Sequence, residues 1–419
     1  MARFNDKIST LNHLTKHYPR SRWVDDALYE MATSSILQND NRGALIYFDK
    51  LIKKHPKSNY VKNSLLKTGL IYYNNDQNIK AIKALKKVID NYPGTQESIN
   101  ALASLQNVYV DLGNVDEYFK YSEGLSFTNV TSSEQDSITY VTAENQYMSN
   151  NCEKAINSFK VYIDKFNFGT FLLNAHYYKA DCEYKRDSLT QALQDYEYVI
   201  NQPKSHFTEK SLLKLSKINF KFEMFDAALE NYSQLEEYAE NNTNINIALD
   251  GQMKCNYLIN NYKAAIIASN KLLKNEKITQ EQMHEAHYFL GKSYFELSDM
   301  YNAKREFVIC SKLTKNKIAV EAKYYVAFIE YEKDNFKESE KLIFELTEQF
   351  SSYGYWVAKS FILLSDVYIG LDNVFQAKQT LNSIIENYDG QDLIKIAQEK
   401  LNTILEMEKS EAENKNPKY

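Results

Sequence analysis

An alanine returns at steps of 36 to 38 residues along most of this 419-residue chain, followed four places later by an aromatic or aliphatic residue and often by a closing proline. Gly69, Tyr72, Ala81, Leu85 and Pro93 set the phase. Ala44, Phe48 and Pro56 lie one period earlier, and Ala155, Ala192, Ala228, Ala265, Ala303 and Ala377 fill the alanine slot further on. A period near 37 marks stacked helical hairpins, because one such unit cannot bury its apolar face alone and must lean on its neighbours. Stacks of this kind present long surfaces to partners, so binding is expected ahead of catalysis.

Composition agrees. Hydrophobic residues at 44% supply a continuous core, and 5 Pro with 11 Gly suit long helices joined by short turns, which excludes an all-β fold. The net charge of −5 is slight and Lys is interspersed with Asp and Glu, so no global field draws the chain to nucleic acid or anionic lipid. Cys152, Cys182, Cys255 and Cys310 show no CxxC spacing; they are expected to be core thiols, with neither a zinc site nor a disulfide framework. No apolar run reaches the roughly 18 residues of a membrane span, and the first residues lack the apolar segment of a signal peptide.

Apolar residues at three- and four-residue spacing alternate with polar turns such as Asn74-Asn75-Asp76-Gln77, so each unit is expected to hold two antiparallel helices. The predicted fold is all-α: a right-handed α-solenoid of about ten hairpins with a C-terminal capping helix. Lys7, Leu11, Leu14 and Pro19 read as the second half of a unit. The chain thus opens mid-repeat, and the expectation is the C-terminal part of a longer protein. The expected segments are a second helix of an incomplete unit at 1–20, an N-terminal array at 21–133, a main array at 134–389, a cap at 390–408 and a disordered tail at 409–419. Tyr118 occupies an alanine slot, where overpacking typically costs about 1–3 kcal/mol, so a wider inter-helix angle and a bend are expected there.

With these residues the chain resembles the tetratricopeptide repeat family, whose units carry Leu-Gly and Tyr in a first helix and Ala, Phe and Pro in a second. Leu290-Gly291 with Tyr294, Ala303 and Phe307 reproduces that pattern, as do Leu65, Gly69, Tyr72, Ala81 and Pro93. The joints His17-Tyr18-Pro19-Arg20-Ser21, His55-Pro56-Lys57-Ser58 and Asn91-Tyr92-Pro93-Gly94-Thr95 are similar to those of bacterial cell-envelope members, of the outer-membrane assembly lipoprotein and cell-division coordinator type. The resemblance implies a periplasmic or outer-membrane-associated setting, with the cytoplasm as the alternative.

No GxGxxG, P-loop or GxSxG sequence occurs, and no catalytic, cofactor or metal constellation emerges. His284 and His287 are three apart, not the four of the usual zinc helix, and read as coincidence. More informative are the first helices, which in this family line the concave surface. One recurring slot gives Tyr140, Tyr177, Leu213, Asp250, Tyr288 and Tyr324; a second, seven residues on, gives Tyr147, Tyr184, Phe220, Tyr257, Phe295 and Tyr331. Aromatic side chains combine large contact area with few rotatable bonds and serve as anchors, although they also pack between helices. Between the rows a charged slot changes sign: Glu144 and Asp181, then Lys217, Lys254 and Lys292. Lys210, Lys214 and Lys221 join Lys217 on one helix face, a like-charge stripe that an acidic segment or terminal carboxylate would relieve.

The expected function is a non-catalytic scaffold that holds a protein or peptide partner in the groove, with no nucleic acid and no membrane span. The alternatives are a glycan-binding component of an outer-membrane uptake system, or an interaction arm of a longer multidomain protein.

Overall fold

The computed structural model describes the backbone of residues 2–415 and the side chains of residues 3–410. These residues form 22 helices. A single helix, α1 (Ala2–His17), packs on the first hairpin, α2 (Val24–Leu37) with α3 (Asn41–Lys54). Nine more hairpins follow: α4 (Val61–Asn74) with α5 (Asn78–Asn91), α6 (Gln96–Leu112) with α7 (Val115–Glu123), α8 (Ser132–Met148) with α9 (Cys152–Lys165), α10 (Leu172–Lys185) with α11 (Leu189–Ile200), α12 (Thr208–Lys221) with α13 (Phe225–Tyr238), α14 (Asn242–Leu258) with α15 (Tyr262–Lys274), α16 (Gln280–Glu296) with α17 (Met300–Leu313), α18 (Lys317–Glu332) with α19 (Phe336–Gln349), and α20 (Gly354–Gly370) with α21 (Val374–Asn387). The last helix, α22 (Gln391–Lys415), lies on α21 and α20.

Every hairpin turns in the same way. One left-handed residue stands between its helices: Asn39, Asp76, Gly113, Asn150, Asp187, Glu223, Asn260, Ser298, Asp334 and Asp372 in order, with φ between 55° and 71°. The N–H of the next residue donates to the carbonyl five places back over 2.8–3.0 Å, closing the first helix in a Schellman turn. Asn, Asp and Gly dominate because they tolerate this conformation, and this is why a short polar turn recurs at every period.

The repeat slots pack as their sizes require. Ala81, Leu85, Ala155, Phe159, Ala303 and Phe307 are fully buried. A Cβ at Gly69 would stand 2.7 Å from Leu85 Cδ2, and one at Gly291 2.6 Å from the Phe307 ring, so the absent side chain is what admits the second helix. Ser339, in an alanine slot, donates to the Ala327 carbonyl over 2.9 Å and is thereby satisfied.

The chain divides into two compact units, residues 1–202 and 203–419. Within each, consecutive helices pack against one another and successive first helices also touch: α4 to α6, α8 and α10 in one unit, α12 to α14, α16, α18, α20 and α22 in the other. Each unit is therefore a helical stack. Tyr118 is buried, its ring edge-on to Phe119 at 5.8 Å, and its helix α7 is cut to 9 residues where neighbouring second helices have 14.

Two expectations are corrected. Cys152 and Cys182 are bonded as a disulfide, with Cα atoms 5.0 Å apart. A gap of 30 residues carries no familiar spacing, but in this frame it sets the start of α9 beside the last turn of α10, so two successive hairpins are stapled together. Cys255 and Cys310 are the buried thiols expected, pushed up to about 12 by desolvation. At the end, α22 buries Leu393 and Ala397 as a cap should, but it runs on through Lys415, so the stretch from Lys409 expected to be disordered is helical that far. Residues 416–419 lie outside the described residues.

Candidate functional site

In the N-terminal unit the predicted rows fall on α8 and α10. Tyr140 is buried, stacked on Phe171 at 4.4 Å, and its hydroxyl donates to Glu144 over 2.7 Å. The Tyr147 hydroxyl donates to Asp181 over 2.8 Å, and Lys185 pairs with the same carboxylate at 2.7 Å while lying 4.9 Å over the Tyr147 ring. Tyr177 and Tyr184 are half-buried, with desolvation pushing the Tyr177 hydroxyl up to about 12. The acidic half of the charged slot is thus occupied from within: Glu144 by its own helix, and Asp181 by a tyrosine one repeat away and by Lys185.

Behind this face sits a buried ionic group. Lys179 donates to Glu183 over 2.6 Å and to Asp195, and His176 Nδ1 lies 2.6 Å from Asp195. One Glu183 oxygen, Oε2, has no partner. Burial raises this carboxyl towards about 7, with Asp195 repelling it and Lys179 only partly offsetting. Asp195 is held low by His176 and Lys179 despite its burial.

In the C-terminal unit the rows form a ladder across first helices. Lys254 on α14 pairs with Asp250 at 2.9 Å and reaches Glu285 on α16 at 2.6 Å. Tyr288 on α16 donates to Glu321 on α18 over 2.8 Å, and Lys292 donates to the Tyr325 hydroxyl over 2.9 Å with Glu321 at 3.6 Å. Tyr257 stands edge-on to Phe289, and Phe295 to Tyr325. Tyr331 packs near Phe336, Phe220 edge-on to Phe225, and Tyr324 is 9% exposed. On α12, Lys210, Lys217 and Lys221 are exposed and Lys214 is half-buried; Lys210 and Lys217 form no ion pair among the described residues.

One cation on this face differs from the others. Lys359 on α20 lies 5.1 Å from the Tyr324 ring, 5.0 Å from Trp356 and 5.8 Å from Tyr355, with no carboxylate within ion-pair distance among the described residues. Its ammonium is lowered, mainly by desolvation and further by Lys292, and Glu321 only partly restores it. Beside it opens a cavity of about 500 Å³ lined by Lys317, Glu321, Tyr353, Gly354, Tyr355 and Trp356. Trp356 is buried and its indole N–H has no acceptor.

The tetratricopeptide repeat pattern matches residues 26–58 and 63–95. The chain thus contains tetratricopeptide repeats, at α2–α3 and α4–α5. It is similar to the outer membrane protein assembly factor BamD of Rickettsia prowazekii, at 26% identity over 148 residues, covering 30% of this chain and 59% of that protein. The chain therefore spans less than two thirds of this relative. Among solved structures it is similar to the C-terminal part of a repeat-containing protein of Cytophaga hutchinsonii, with TM-score 0.46, 16% identity and coverage of 60% and 97%. It is also similar to yeast Tom70, with TM-score 0.36, 11% identity and coverage of 97% and 93%.

Against the rows expected from the sequence, the stacked hairpins bring Tyr140, Glu144, Tyr147 and Asp181 together, and likewise Lys254, Tyr257, Tyr288 and Lys292, but they spend much of that chemistry on neighbouring helices. Tyr140 and Tyr324 expose little surface. The Lys359 site was missed because only Tyr324 among its residues falls on a recurring slot, while Lys359, Tyr355 and Trp356 sit off both. The available signal was local: Tyr355-Trp356 in the first turn of a helix, with Lys359 three and four places on.

Proposed function

We propose that this protein is a non-catalytic scaffold that seats an extended partner segment on the first-helix face of its C-terminal unit, anchored at Lys359. The observation that carries this reading is a half-buried lysine walled by three aromatic rings, beside an open cavity, without the carboxylate that satisfies Lys254 and Lys292 on the same face. A desolvated cation with no counter-ion favours an anionic ligand group, and the aromatic walls favour an apolar neighbour to it. The partner segment is expected to carry an acidic side chain or terminal carboxylate next to an apolar residue. A glycan finds less support, because row rings such as Tyr257, Phe295 and Tyr324 pack against neighbouring rings.

A cell-envelope setting is part of the proposal. It is supported by the likeness to an outer-membrane assembly factor and by the Cys152–Cys182 bond, since disulfides persist mainly in oxidising compartments. A role in envelope assembly is read from that relative's name.

Peptides selected by display against the wild-type protein would test the anchor. They should carry the acidic-plus-apolar pattern and lose about tenfold in affinity, or ~1.4 kcal/mol, for Lys359→Met with Tyr355→Ala. Peptides that bind both proteins equally in fluorescence anisotropy would rule Lys359 out as the anchor.

A further inference from the structure

Between Asn41 and Lys87 the chain holds eleven Lys and Arg but only Asp49 and Asp76 as acids, a concentrated excess inside a chain whose net charge is −5. The fold gathers part of it around a groove of about 410 Å³ formed by α3, α4 and α5. Its floor is apolar, with Leu45 and Ile52 from α3, Leu65 from α4 and Ala84 from α5. Its rim is basic, with Lys53, Lys80, Lys83 and Lys87. The last three fall at i, i+3 and i+7 on one face of α5, so their ammonium groups project along the same wall. Little within the protein answers them. Lys53 pairs with Asp49 at 3.0 Å, and Lys80 donates to Gln77 over 2.9 Å while lying 5.5 Å from the Tyr72 ring. Lys83 and Lys87 are exposed and form no ion pair among the described residues.

We infer that this groove is a second docking surface, independent of the Lys359 anchor, for an acidic amphipathic helix of a partner protein. The occupant follows from the lining. An apolar trough between two parallel helix ridges accepts the apolar stripe of a helix laid along it, and the basic rim selects carboxylates on that helix's flanks. A flat anionic surface or a phosphate chain would meet the lysines but leave the trough unfilled. The lysines also repel one another across the rim, so the ligand relieves repulsion as well as adding attraction, and its binding weakens with rising salt.

The test is fluorescence anisotropy with a fluorescein-labelled amphipathic peptide, Leu along one face and Glu on both flanks, beside a copy with Gln for every Glu. The wild-type chain should bind the Glu peptide in a salt-sensitive manner and the Gln copy at least about tenfold more weakly. Lys83→Glu with Lys87→Glu, both exposed and so compatible with folding, should cost a similar factor, and Leu45→Ser should weaken binding without changing its salt dependence. Lys359→Met should leave this binding unchanged, which separates failure of the groove from failure of the other anchor. Equal binding of both peptides would overturn the proposal. So would phosphatidylglycerol vesicles bound through Lys83 and Lys87 when the peptide is not, or a dimer in sedimentation that the charge reversal dissolves.

Discussion

Lys254 and Lys292 in the C-terminal unit, and Lys83 and Lys87 in the N-terminal unit, sit on helices of one repeat pattern yet have opposite fates. The first two point along successive first helices, where a carboxylate one period on is within reach: Glu285 for Lys254, Glu321 for Lys292. The second two lie on a second helix whose groove neighbours supply a single acid, Asp49, already held by Lys53. The same side chain is thus a rung in one place and an unanswered charge in the other. A charge stripe in a repeat protein identifies a binding surface only after the residues one period away have been checked for its partner.

The comparison breaks most visibly under neutralisation. Lys254→Met leaves Asp250 and Glu285 facing each other with no cation between them. Removing one member of a buried pair costs about 3–5 kcal/mol, and we expect about 2–3 here because these side chains keep 22%, 18% and 21% of their exposure. Lys83→Met should stay within about 0.5 kcal/mol of wild type. Urea midpoints followed by circular dichroism compare the two directly, and equal shifts would mean that the rung carries no structural load.

A second contrast lies inside the N-terminal unit, where Lys179 serves two carboxylates and Glu183 is left short. Burial raises the Glu183 carboxyl from 4.5 towards about 7, so between those values the folded state holds a proton that the unfolded state has released. Stability therefore falls as pH rises through that window. Glu183→Gln, which mimics the protonated form, should match wild type near pH 5 and exceed it by about 1–2 kcal/mol near pH 8. Thermal midpoints across that range decide it; a variant less stable at high pH would show that the Lys179 pair outweighs desolvation.

Much of the frame was legible from the sequence. Alanine, glycine and turn residues at fixed spacing determined the hairpins, because each slot is forced by a steric contact such as Gly291 against Phe307. The site was legible only in part. A row of Tyr and Lys specifies which face a side chain occupies but not whether the next repeat supplies its partner, which is why Tyr140 proved to be packing. The Lys359 group and the Cys152–Cys182 bond join residues that no single slot relates, so periodicity was silent about both.

Both regions hang on the same turn, and its least suited residue gives the smallest expected effect. Of the ten left-handed positions, Glu223 alone carries a long side chain without the compact amide, carboxylate or hydroxyl that favours this conformation. A non-glycine residue there costs about 1–2 kcal/mol, and glycine returns about 0.5–1 of that through its freer unfolded chain, so Glu223→Gly should gain about 0.5 kcal/mol. Gly113→Ala, at φ 71°, should move the opposite way by about 1 kcal/mol. The pair is best read by hydrogen exchange at the turn amides of Met224 and Asn114, which donate to Asn219 and Tyr109. Slower exchange at Met224 and faster exchange at Asn114 would locate the effect in the turn, and shifts of the same sign at both would refute it.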